Sequence, residues 1–207
     1  MEVLVVIGVI SIFVGVVGYG FLRGSANATV GMQAAQSIIV GLLTQARSQA
    51  VLTGRNAIVL LNNEPGNPDR YLRYLVVAVR SADNSTWEVR DVGTYLPDDC
   101  AVVPDPAPSG DWVEAGAVWT SLSSTALEAA TEMVAVESTT AESWNQILFT
   151  PRGTVGVGNN GRLVVARIVA RPPGSTTPFQ FVGPANVRGV DLSVYGQTRL
   201  VNAPSGF

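Results

Sequence analysis

Few residues of this chain are of a type that does chemistry. Glu2 stands at the head of an uncharged apolar run, in "MEVLVVIGVISIFVGVVGYGFLRG". Asp98, Asp99, Asp105 and Asp111 gather in one Pro-rich stretch, "PDDCAVVPDPAPSGDW". Carboxylate oxygens suit Ca²⁺, but the EF-hand spacing is absent, and the expectation is a solvated acidic loop with no other cofactor in view. The chain has no His, and Cys100 is its one Cys. His-based catalysis, His-containing metal sites, Cys/His nucleophile pairs and an intrachain disulfide are therefore excluded. Cys100 reads as a small buried hydrophobe. Serines lack a His partner, and no G-x-S-x-G elbow occurs. "GVGNNG" at 156–161 looks like a phosphate loop only in its glycines. It has no Lys and no following helix pattern, so a hairpin turn is expected. No catalytic residue emerges, and the chain is not read as an enzyme.

The elements around these residues follow from the apolar pattern. Of 207 residues, 47% are hydrophobic and 14% charged, and the net charge is −3. All the basic residues are Arg, with no long basic tract, so nucleic-acid binding is not expected from bulk charge. The apolar excess is concentrated before Arg23. Residues 3–22 carry no charge, and ~20 residues at ~1.5 Å each span a ~30 Å hydrocarbon core. Residues 1–23 are thus predicted to be a transmembrane helix. Two alternatives are a soluble core helix, against which the apolar residues surround the helix on all sides, and a cleaved signal ending at "SANA" (25–28). The signal would lack its basic n-region. With Arg23 at its C-terminal flank, the span alone would place residues 24–207 in the cytoplasm.

From Ser25 the pattern becomes amphipathic. Val30, Ala34, Ile38, Leu42 (with Leu43), Ala46 and Ala50 recur at four-residue steps, with Gln33, Gln36, Thr44, Gln45, Arg47 and Gln49 largely off that line. A helix over 24–54 is predicted, with Gly54 as its C-terminal stop. Together the two segments give ~50 residues, or ~75 Å, of helix. Residues 55–207 read as a β-rich head. "NAIVLL", "RYLRYLVVAVR" and "TWEVRDVGTYL" form a predicted antiparallel meander; "WNQILFTPRGTV", "GRLVVARIVA", "PFQFVG" and "NVRGVDLSVYGQTRLV" follow as further strands. The Pro/Asp-rich stretch is read as a loop, and residues 122–143 as a surface insertion. The fold class is α+β: a long N-terminal helix packed on an antiparallel β-rich head.

Two motifs carry a resemblance. Glu2 followed by "VLVVIGVI" resembles the mature N-terminus of type IV pilins and type II secretion pseudopilins, with Met1 at the variable position before the family Glu. "ILFTPRGTV" resembles a strand of H-type minor pseudopilins and related minor pilins (GspH/FimT-like), with Phe149, Pro151 and Gly153 at its Phe-x-Pro-x-Gly places, and "ARSQAVLTGRNAIVLL" resembles their helix-to-strand junction. The resemblance implies a structural subunit of a type II secretion pseudopilus or a type IV pilus. It implies a leader and first mature residues upstream, and a precursor cut by the prepilin peptidase. It also implies a single-pass anchor in the bacterial inner membrane with a periplasmic head, and assembly with other pilins. Glu2 would then serve assembly, and Gly15, Gly18 and Gly20 would let the helix unwind locally, although close helix packing or plain membrane composition explains them equally well. Some FimT-type members bind DNA through Gly-Arg-x-Arg; in "GQTR", Gly196 and Arg199 match but Gln197 replaces the first Arg, so DNA binding is a weaker reading. The alternative from another class is a secreted or membrane-anchored β-rich binding protein.

Overall fold

The computed structural model describes residues 30–119, 121–130, 142–172 and 174–207. Glu2, Gly15, Gly18, Gly20 and the predicted transmembrane segment lie outside the described residues. Among the described residues no helix is long and apolar enough to cross a membrane.

The described part of the helix, α1, runs over 30–53. It ends at Gly54, whose φ of 65° is the left-handed conformation a glycine stop supplies. Its buried line is Met32, Ala35, Gln36, Ile39, Leu43, Ala46 and Ala50. This corrects the four-step reading: Val30 and Ala34 are exposed, and Ile38 and Leu42 only half-buried. A line of four-residue steps drifts ~40° per step on a helix of 3.6 residues per turn, so it leaves the core-facing side within two turns. Gln36 also moves inward. Its Nε2 donates to Gly189 O at 2.6 Å and Val201 O at 3.1 Å.

Two antiparallel sheets flank α1. The first is built on β1 (Ala57–Asn62), paired with β2 (Tyr74–Arg80) on one side and β7 (Trp144–Phe149) on the other. Beyond β2 lie the short β3 (Trp87–Val89) and β4 (Thr94–Tyr95), and beyond β7 lies β6 (Glu128–Ala129). Every residue of β1 is buried. Val59 and Leu61 face the main core with Leu75, Val77 and Ile147, while Ile58 and Leu60 pack with Tyr74, Val76 and Trp144 on the other face. A strand buried on both faces needs a continuous apolar run, which is why "AIVLL" shows no alternation.

The second sheet is built on the ten-residue β8 (Gly161–Ala170). β5 (Cys100–Val102) pairs with one side of it. On the other side β9 (Phe179–Val182) and β10 (Arg188–Leu192) follow one another along β8, separated by the excursion 183–187, and β11 (Thr198–Val201) closes that side. α1 and both sheets share one core. The void among Ile39, Leu43, Val59, Leu75, Val102 and Leu163 is about 10 Å³, no more than one water requires.

Three loop expectations are corrected here. The Pro/Asp-rich stretch contains β5, fully buried; its prolines marked the flanks as loop but said nothing of the four apolar residues between them. The start of the expected surface insertion is in the core: Leu122, Ser124 and Ala126 are buried, and β6 pairs with β7. Ser124 Oγ accepts the Val164 N–H at 2.9 Å, so a small hydroxyl stands in for a missing ladder partner. Residues 131–141 of that stretch lie outside the described residues. Finally, "GVGNNG" is no hairpin. It crosses from β7 in the first sheet to β8 in the second, and Asn159 is the buried bolt of the crossing. Its Oδ1 accepts the Leu148 N–H at 2.9 Å, and its Nδ2 donates to Ala126 O at 3.0 Å and Gln146 O at 3.1 Å.

Removing that amide leaves three backbone groups without their partner. Asn159→Ala should therefore lower stability by about 2–4 kcal/mol in chemical denaturation followed by tryptophan fluorescence, and Asn159→Asp by at least as much, since a carboxylate cannot donate to the two carbonyls.

Candidate functional site

The outward side of α1 is the first feature that folding alone does not explain. Gln33, Ala34, Ser37, Gly41, Thr44, Ser48, Val51 and Leu52 are exposed. Six of them, Ala34, Ser37, Gly41, Thr44, Ser48 and Val51, step by three and four residues along one seam. Arg47 is the one charged residue in 30–53. A helix facing only water ordinarily carries its charges outward. Two of the three hydroxyls on the seam are turned back on the helix itself: Ser37 Oγ donates to Gln33 O at 3.0 Å and Thr44 Oγ1 to Val40 O at 2.7 Å. The result is a small-residue surface with two of its three hydroxyls already bonded to the helix backbone, suited to close approach by another helix. Nothing within 4 Å of Gly41 would meet an added Cβ.

The second feature is where the lone helix charge goes. Arg47 Nε donates to Gly153 O at 3.1 Å. Gly153 lies in the "FTPRG" turn at the end of β7 and takes φ 74°. The turn is closed by Gly153 N–H to Thr150 O at 2.8 Å and Thr150 N–H to Thr154 O at 2.8 Å, and Phe149 bridges Val155 across it. The Val155 N–H then reaches Val194 O at 2.9 Å, in the β10–β11 turn. At the tip of that turn a Cβ on Gly196 (φ 69°) would sit 2.6 Å from Gly153 O and 3.2 Å from Arg47 Cδ. One arginine thus clamps the end of α1 to a turn from each sheet. Of the expected residues, Phe149 is fully buried in the core, Gly153 is at the clamp, and Pro151 is exposed on the turn. The participation of Arg47 was not foreseen; its being the only charge within 30–53 is the signal that could have found it.

The remaining candidates are dispersed. Asp98 pairs with Arg73 at 2.6 Å, Asp99 lies against Gly31 and Cys100, Asp111 accepts from Thr176 Oγ1 at 2.7 Å, and Asp105 is exposed. Among the described residues no three His, Cys, Asp or Glu side chains converge to hold a metal ion. Arg199, the cation of "GQTR", directs its guanidinium at Asp191, with Nε 3.0 Å from Oδ2, which neutralises much of the charge a phosphate would need. Cys100 is fully buried, and burial, with the Asp99 carboxylate beside it, pushes its thiol up to about 12.

Two outcomes follow. Gly153→Val forces a β-branched side chain into φ 74° with Val51 Cγ2 only 3.0 Å from the new Cβ, and should cost more than ~1 kcal/mol in a denaturation midpoint. The Cys100 thiol should be inert to a maleimide at pH 8 in the folded chain and reactive once unfolded. Because its folded pKa is the higher one, the stability this burial contributes is complete below the unfolded pKa and declines as pH rises from about 9 toward about 12.

The fold and its sites can be set beside known proteins. Three solved structures are similar in arrangement at low identity. Two are of the minor pseudopilin EpsH of the Vibrio cholerae type II secretion system. One is 13% identical, covering 83% of this chain and 96% of that one at a TM-score of 0.42; the other is 16% identical, covering 84% and 94% at 0.42. The third is the Pseudomonas aeruginosa type IV minor pilin FimU, 14% identical, covering 82% and 87% at 0.41. No curated protein matches the chain. The model of the family described as type II transport protein GspH matches residues 34–193, from the outward seam of α1 through the Gly153 turn to the end of β10. With that match spanning well over half of its length, the chain belongs to the GspH family of type II transport proteins.

Proposed function

We infer that this chain is a structural subunit, a minor pseudopilin or pilin, that assembles with other pilin-type subunits into a filament. The observation that carries the reading is the two-sidedness of α1. One side is locked into the head by Met32, Ile39, Leu43, Ala46 and Gln36. The other is charge-free, small and exposed. A neighbouring helix laid on the seam would bury apolar and self-satisfied groups at little desolvation cost.

On this reading residues 1–23 anchor the chain in the bacterial inner membrane, the head sits in the periplasm, and the prepilin peptidase trims the precursor. The role is mechanical, with no reaction catalysed by the chain. Glu2 sits beside an uncharged span with no cation before Arg23. A lone carboxylate in the bilayer interior costs about 2.5–3.5 kcal/mol on insertion scales, less near the interface. Its partner is then a cation of another chain, the free α-amino group of a neighbouring mature subunit. A buried pair of that kind favours the one register in which neither charge is left alone.

The test compares Gly41→Leu and Glu2→Ala with wild type at equal membrane abundance. Gly41→Leu adds helix propensity of up to ~1 kcal/mol in open space and should leave the head as stable or more so. Incorporation into sheared filaments or tip complexes should nevertheless fall several-fold for both variants. Undiminished incorporation of Gly41→Leu would show that the seam is not a packing surface; the same result for Glu2→Ala would remove the assembly role of the carboxylate.

A further inference from the structure

Charges line up across the second sheet and leave one cation over. The register sets Asp191 of β10 directly beside Arg162 of β8 and directly beside Arg199 of β11. Residues opposite one another in an antiparallel ladder share a face, so the three side chains stand in one row. Leu163, the next residue on β8, meets Ile39 of α1, so the row faces away from the helix. Asp191 has an arginine on each side and bonds one of them. Its carboxylate takes the Arg199 guanidinium, with Nε at 3.0 Å. Arg162 turns elsewhere: its Nε donates to Ser123 O at 3.1 Å, and its guanidinium carbon lies 5.9 Å from the centre of the Phe207 ring. Its Nη1 and Nη2 meet no hydrogen-bond or ion-pair partner among the described residues. A guanidinium held at Nε presents that other edge, two parallel N–H donors at the spacing of a carboxylate.

The row floors a groove of about 590 Å³, within the ~300–1,000 Å³ usual for ligand sites. One wall is the 123–125 segment, pressed on the start of β8. Thr125 Oγ1 accepts the Arg162 N–H at 3.2 Å, and a Cβ on Gly161 would lie 2.6 Å from that oxygen. The other wall is Phe207, whose ring rests over Gly189, with Cζ 2.7 Å from where a Cβ would stand. The rim is polar. Asn160 and Gln197 are exposed there, and their amides have no partner among the described residues. Ser193 Oγ accepts the Gln197 N–H at 3.1 Å, which leaves its own proton to donate. Asp191 is the one carboxylate among the lining residues and Arg199 neutralises it, so the groove keeps a single positive charge, that of the half-buried Arg162.

We propose that this groove binds an acidic sugar of the uronate type. Its carboxylate pairs with the free edge of Arg162, its hydroxyls with Asn160, Ser193 and Gln197, and its C–H face lies on Phe207. Charge selects among the alternatives. One carboxylate matches one unpaired guanidinium, whereas a phosphate monoester brings about two negative charges beside Asp191. A nucleic-acid strand draws its affinity from several phosphates, and the groove has one free cation. A neutral sugar leaves Arg162 unpaired, and an acid without hydroxyls leaves the rim amides unpaired. The site stands on the face opposite α1, so it is independent of how the helix seam packs.

The test uses the full chain in detergent, titrated calorimetrically with D-galacturonate, D-galactose and inorganic phosphate. Galacturonate should bind at millimolar concentration or below, with galactose and phosphate at least tenfold weaker. Arg162→Gln should weaken galacturonate at least tenfold. Gln197→Asp adds a carboxylate to the exposed rim, and should weaken galacturonate severalfold with the melting temperature unchanged; this variant carries the test if Arg162→Gln disturbs the fold. The proposal is overturned if galacturonate does not bind, if galactose binds equally well, or if phosphate or a short single-stranded oligonucleotide binds more tightly. A galacturonate affinity indifferent to both variants overturns it as well.

Discussion

Helix α1 can bury one side only, because a single helix between two sheets and open solvent has one side to give. The line from Met32 to Ala50 is spent on the shared core, and it alternates small residues, Ala35, Ala46 and Ala50, with larger ones, Ile39 and Leu43. Small residues let the backbone approach the sheets closely, and the larger ones fill the layer between β1, β5 and β8. Everything else in the head is arranged around that line. The first sheet must present Val59, Leu61 and Val77 to it, and the second must present Val102, Leu163 and Val165. The outward side is what remains once the inward side is fixed, and the fold makes no demand that it be uncharged.

The joints between these layers are polar. Gln36 holds α1 to the β10–β11 pair, Arg47 holds its end to the turns at Gly153 and Gly196, Asn159 holds the crossing between sheets, and Ser124 supplements β8. Each side chain satisfies backbone groups where strand pairing ends but burial continues. Apolar contact would fill the same space without fixing the register, and an unpaired backbone group there is penalised by the low local dielectric. These joints are therefore what makes one arrangement of two irregular sheets preferable to its neighbours.

The same joints set the surfaces the molecule offers to others. With Arg47 turned inward, the seam of α1 is left without charge, and the clamp it forms holds Val51 against the Gly153 turn.

The sequence by itself determined the class of the fold: a helix ending at Gly54, then strands within "NAIVLL", "RYLRYLVVAVR", "GRLVVARIVA" and "NVRGVDLSVYGQTRLV", the last of which the structure divides into β10 and β11 at the 193–197 turn, and a turn in "FTPRG". It also showed that His is absent and Cys100 stands alone, and it carried the family resemblance through Glu2 and Phe149-x-Pro-x-Gly. These are local signals of period, of glycine φ and of residue type. What it could not determine was which polar residues go inside. Gln36, Ser124 and Asn159 look like surface residues in any window, because their burial depends on backbone carbonyls and amides more than thirty residues away, or, for Asn159, on both sides of a sheet crossing. The tertiary structure likewise decided that the Cys100 segment is a strand, since three residues become one only when β8 lies beside them. And it chose which line of α1 is buried, a matter of under half a turn, because the 3.6-residue period sets the shape of the stripe while the sheets set its direction.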